Sequence, residues 1–143
     1  MSILKVGPTY DTGEPIRVGD WVKVYVPKLG VWHHGIVRRI FPVYRGLAVE
    51  IAHNMKATGV IVSDWHVFRD GGSVLLERHP TSEAHVFEII ARVDANIGKP
   101  YTLFAQNCEH FASFAFNGKA ESKSVQVVGA VAVGILAIWL FGG

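Results

Sequence analysis

Residues 74–97 read VLLERHPTSEAHVFEIIARVDANI, and the hydrophobic period changes partway through them. Val74 to Glu77 reads as a strand, ended before Pro80. Beyond it Val86, Phe87, Ile89, Ile90, Val93 and Ile97 recur at steps of three and four, the spacing of one helix face. Thr81 or Ser82 is suited to cap that helix, Gly98 stands just past its end, and Pro100 blocks its continuation. The chain upstream of this switch carries strand signals, and the chain downstream carries helix signals.

Upstream, a Gly19-Asp20 turn lies within the first segment, Ile16 to Val26. Val22, Val24 and Val26 then alternate with Trp21, Lys23 and Tyr25, the pattern of a half-buried strand. Pro27 to Gly30 breaks it. His33 to Phe41 reads as a second strand. In the third, Leu47, Val49 and Ile51 alternate with Ala48, Glu50 and Ala52. A loop of about five residues, Pro42 to Gly46, is expected to join the two as a hairpin. A fourth strand is expected at Val60 to Val62. Asp64 is placed to cap a short helical turn, Trp65 to Arg69, stopped by Gly71-Gly72. Downstream, Asn107 precedes a helix from Cys108 to Phe116, with Phe111, Phe114 and Ala115 on its apolar face and Asn117-Gly118 at its end. Strands first and helices after predict an α+β domain, an antiparallel sheet of five strands with helices packed on it.

A chain of 143 residues is one domain's worth, and its 50% apolar content suffices for a core. A formal charge of +2, with no basic stripe interleaved with aromatics, argues against a nucleic-acid partner. A single cysteine allows no internal disulfide and no thiolate zinc site, so neither a structural crosslink nor a metal is expected.

Residues 1–10 hold no long apolar run, and no signal peptide is expected there. Val125 to Phe141, by contrast, reads VQVVGAVAVGILAIWLF, with Gln126 its one strongly polar side chain. As a helix it would reach roughly 25 Å, near the low edge for crossing a bilayer. Trp139 suits an interface, and Lys119 and Lys123 flank only the N-terminal side. The expected organisation is a catalytic domain over 1–118, a linker over 119–124 and a membrane-anchoring tail over 125–143, with the catalytic domain on the cytoplasmic face. The competing expectation for the tail is a buried C-terminal helix.

The residues able to carry chemistry centre on Cys108. A thiol at a helix start lies in the field of about half a positive unit charge, which favours the thiolate and predicts a lowered pKa. The unpaired amides of the first turn, around Asn107 and Cys108, are suited to hold an oxyanion. A basic partner is required, and seven histidines are available. His33 and His34 begin one strand and point to opposite faces, and His53 ends the strand expected to pair with it. One histidine can accept the thiol proton while another orients it. His66, His79 and His85 read as loop or helix-surface residues. His110, two positions past the thiol, reads as a packing residue pointing away from it.

Asn107-Cys108-Glu109-His110-Phe111 is NCEHF, and upstream stands His33-His34-Gly35-Ile36. Together they resemble the lecithin:retinol acyltransferase family, which includes the phospholipase A/acyltransferases and belongs to the permuted NlpC/P60 class of cysteine hydrolases. The resemblance covers roughly residues 16–120. It implies Cys108 as nucleophile, His33 as general base and His53 as the third polar residue. His34 takes the place of an aromatic and is the alternative base. It also implies a phospholipid or other acyl ester as substrate, an acyl-thioester intermediate, and no metal or cofactor. Two other readings follow from the same residues: a cysteine peptidase or amidase, and a binding module that keeps the site without the activity.

Overall fold

The chain forms five strands: β1 (Trp21–Val26), β2 (Val31–Val43), β3 (Gly46–Met55), β4 (Gly59–Asp64) and β5 (Val74–Arg78). The computed structural model describes residues 7–100 and 108–119. In it the strands form one antiparallel sheet in the order β4-β3-β2-β1-β5. Three helices accompany the sheet among the described residues: α1 (Trp65–Arg69), α2 (Glu83–Asn96) and α3 (Cys108–Asn117). The architecture is α+β, as the change of period implies.

Both faces of the sheet are covered. On one, Trp21, Ile36, Ala52 and Val60 pack with Ile89 and Val93 of α2 and with Phe111, Ala112, Ala115 and Phe116 of α3. On the other, Val22, Val24, Val37 and Ile51 pack with Phe68 of α1 and with Tyr10 and Ile16 of the N-terminal segment. β1 keeps its alternation, with Val22 and Val24 buried on the α1 face and Lys23 and Tyr25 more open on the other, where Trp21 is the buried residue.

The β2–β3 hairpin is tighter than expected. Pairing runs out to Val43 opposite Gly46, so Tyr44 and Arg45 alone make the turn, with Arg45 at φ 69°. Pro42 and Gly46 read as loop punctuation, yet both stay paired, because a hairpin end tolerates a missing donor and an unusual φ.

The helix ends are capped where the sequence places the caps. Asp64 accepts from the His66 amide at 2.8 Å, and Ser82, rather than Thr81, accepts from the His85 amide at 3.1 Å. Two α2 side chains then satisfy the last carbonyls of α3, which have no partner within their own helix. His85 Nε2 lies 2.7 Å from the Phe116 oxygen, and Arg92 Nε donates to the Ala115 oxygen at 2.8 Å. His85 is thus a crosslink between helices rather than a surface residue. His79 likewise bonds the fully buried Asp20 at 2.7 Å, a carboxylate that also accepts from the Tyr10 hydroxyl. Arg38 Nε reaches Asp94 of α2 at 2.8 Å and ties that helix to β2.

The tail over 125–143 lies outside the described residues, as does nearly all of the linker. Among the described residues no helix is long and apolar enough to cross a membrane.

Candidate active site

The β2–β3 register sets Gly35 opposite His53. His33, two residues before Gly35, shares the face of His53, and long side chains can meet across such a diagonal. They do: His33 Nε2 lies 2.7 Å from His53 Nδ1, with the rings nearly perpendicular and 5.0 Å apart. His53 Nε2 lies 2.7 Å from the Ser63 hydroxyl on β4. Phe68 of α1 packs 5.3 Å from each imidazole and covers them. Gly35 makes room for that cover. A Cβ there would stand 2.9 Å from the Phe68 ring and 2.6 Å from Ile51 Cγ2, inside van der Waals contact.

His34 points the other way, into the face that carries α2 and α3. The Trp21 indole donates to its Nδ1 at 3.0 Å. An indole can only donate, so that nitrogen bears no proton. The proton sits on Nε2, which lies 3.3 Å from the Glu109 carboxylate. His34 therefore joins β1, β2 and the first turn of α3, and its nitrogens are engaged away from the His33–His53 pair.

Cys108 opens α3, and its sulfur lies against β2. Sγ accepts from the His34 amide at 3.5 Å and donates to the Trp32 carbonyl at 3.6 Å. The β3 register begins only at Gly35, so the sulfur takes up backbone groups just beyond the end of that pairing. The two groups it contacts flank His33. Among the described residues no imidazole is hydrogen-bonded to the sulfur. His33 has Nε2 engaged with His53, which leaves Nδ1 as the nitrogen available to a thiol proton. Resting sites often show such bonds unformed until substrate arrives.

Burial dominates the electrostatics. It raises the Cys108 thiol above its ordinary value, and the Glu109 charge adds to the rise. The amides of His34, Cys108 and Glu109 pull the other way without winning. The expectation of a thiol lowered by the helix start is thereby overturned: desolvation of the charged form outweighs the field of a few amides. Burial also lowers His33 to about 4, with a smaller push from His34, and lowers His53 to about 3, with a smaller push from His33. At neutral pH the site rests as a neutral thiol and two neutral imidazoles.

The structure brings the His33 and His53 imidazoles together on the α1 face and seats the Cys108 sulfur on the backbone either side of His33, while the His34 side chain lies on the α3 face beside Glu109. Asn107 lies outside the described residues. His110 is buried within α3, and His66 is exposed on α1. Sequence reasoning missed Ser63, Phe68 and Trp21. Trp21 is read there merely as an alternating strand residue, and nothing in a run such as Val60-Ile61-Val62-Ser63 marks the serine as a histidine's partner. No group of His, Cys, Asp and Glu able to hold a metal occurs among the described residues.

Histidine-bearing strands first, and a thiol at the start of a late helix laid against one of them, define a candidate cysteine–histidine site on an α+β sheet. A family model described as Lecithin retinol acyltransferase matches residues 14–121, and the chain belongs to that family. Its members are typically cysteine-dependent acyltransferases. No curated protein matches the chain.

Proposed function

We propose that this protein transfers or hydrolyses acyl groups of lipid esters through an acyl-thioester on Cys108. The observation that carries the reading is the seat of the sulfur, bonded to the backbone on both sides of a histidine whose far nitrogen is held by His53. The Cys108 thiol gives its proton to His33 Nδ1 as Sγ attacks the ester carbonyl. The new S–C bond forms, and the carbonyl electrons move onto oxygen, where the backbone amides at the start of α3 stabilise them. Collapse expels the alcohol portion, which takes the proton back from His33. Water or an acceptor amine or alcohol then attacks the thioester, passes its proton to His33, and frees the thiol. Both partners are neutral at rest, so proton transfer accompanies attack instead of preceding it.

The apolar run over 125–143 is proposed to anchor the chain with residues 1–118 on the cytoplasmic side. A phospholipid's ester lies near the headgroup boundary, so a tethered site meets it at high local concentration. The test is intact mass of the full-length protein after exposure to phosphatidylcholine vesicles. One acyl adduct on the wild type and none on Cys108→Ala is the expected result. Peptide-bond cleavage with no adduct would replace this reading with the peptidase one. No adduct and no turnover of any ester or amide would leave the binding-module reading.

A further inference from the structure

His53 bonds at both nitrogens, so the nitrogen that carries its proton fixes the direction of both bonds. Nδ1 faces His33 and Nε2 faces the Ser63 hydroxyl, each at 2.7 Å. A neutral imidazole has one N–H and one lone pair, so the two bonds are linked in direction. If His53 Nε2–H donates to Ser63, its Nδ1 must accept from His33 Nε2–H. His33 then carries its only proton on Nε2, and its Nδ1 lone pair is open to the thiol proton. If instead His53 holds its proton on Nδ1, that proton donates to His33 Nε2. The His33 proton is then forced onto Nδ1, the atom that has to accept. One arrangement is a base and the other is not.

We infer that Ser63 is the positioning residue that sets this direction, by accepting from His53 Nε2–H and so holding His33 in its proton-accepting tautomer. Ser63 touches neither the thiol nor substrate; it acts through His53 on His33, and its value for turnover rests on the acyl-transfer reading. Its place is built by the fold. Ser63 lies opposite Ile51 in the β3–β4 register, one diagonal step from His53 on the same face. The next residue, Asp64, caps α1, the helix that lays Phe68 over both imidazoles.

The test uses the full-length protein, its Ser63→Ala and Ser63→Thr variants, and two readouts. Long-range 1H–15N spectra of the imidazoles report the tautomer directly. The wild type and Ser63→Thr should show His53 protonated at Nε2 and His33 at Nε2, and Ser63→Ala should show both protonated at Nδ1. The second readout is steady-state hydrolysis of a short-chain acyl ester. Ser63→Ala should lower kcat by roughly 10²–10⁴ at unchanged KM, with Ser63→Thr restoring most of it, because a wrong tautomer removes the base without touching binding. Unchanged tautomers in Ser63→Ala would overturn the inference, as would a wild-type kcat in a variant whose tautomers had switched. A wild type with no turnover would sink the acyl-transfer reading, and the spectra would still decide the role of Ser63.

Discussion

His33 and His34 differ by one position, and the pleat sends them to opposite faces with opposite fates. His33 meets His53, while His34 is locked between the Trp21 indole and Glu109. Their alanine variants should separate accordingly. His33→Ala should cut turnover by roughly 10²–10⁴, the usual worth of a general base, with little change in melting. His34→Ala should keep a measurable rate but lose about 1–3 kcal/mol, since it strips the acceptor from a buried indole N–H. Ester hydrolysis and urea denaturation of both variants check this, and an inactive His34→Ala of unchanged stability would make His34 the base. The thiol gives a second residue-scale expectation. Burial raises it, so the rate of its alkylation should turn upward with pH above the free-cysteine value of about 8.5. An inflection below that value would mean that the helix-start amides win after all.

At the scale of elements, the site depends on how closely α1 approaches the sheet. Phe68 reaches the imidazoles because Gly35 offers no Cβ at the crossing of β2 and β3. Gly35→Ala should therefore displace Phe68 or Ile51, cost about 1–3 kcal/mol in overpacking, and lower activity together with stability. Thermal denaturation and ester hydrolysis measured on one preparation test it. An alanine variant as stable and active as the wild type would show that the gap is not needed. On the opposite face, α3 is held at its C-terminal end by His85 and Arg92 of α2, and at its first turn by the contact of Glu109 with His34. The thiol sits at the end of a helix fixed at both ends, which keeps Sγ against Trp32 and His34.

For the molecule as a whole, two buried neutral histidines make stability depend on acid. Both are lowered from an ordinary 6.5, His33 to about 4 and His53 to about 3. Between those values the unfolded chain binds protons that the folded one refuses, so stability rises with pH across the window. Their contribution is fully present above pH 6.5 and is lost as pH falls toward 4 and then 3. Urea midpoints should fall between pH 7 and pH 4.5, and less steeply in His53→Gln; equal slopes in the two proteins would refute the assignment to the pair. The tail belongs to this scale too. Removing 125–143 should release the protein from membranes, spare hydrolysis of water-soluble esters, and depress activity on bilayers. A full-length protein found in the soluble fraction, with a truncation that unfolds, would make the segment a core helix instead.

The order of strands and helices, the caps at Asp64 and Ser82, and the thiol at the start of α3 were legible in the residues, because periodicity and capping are local properties of the chain. So was the family, carried by NCEHF and His33-His34-Gly35-Ile36. That His33 and His53 share a face also followed once β2 and β3 were taken as a hairpin, since side chains alternate with a period of two. What no local pattern carried was burial and cross-strand partnership. The thiol's pKa goes up rather than down because of how much protein surrounds it, and desolvation is a property of the packed molecule. Trp21 as the anchor of His34, Phe68 as a cover, and Ser63 as the far partner of His53 come from strands and a helix that only the assembled sheet brings together.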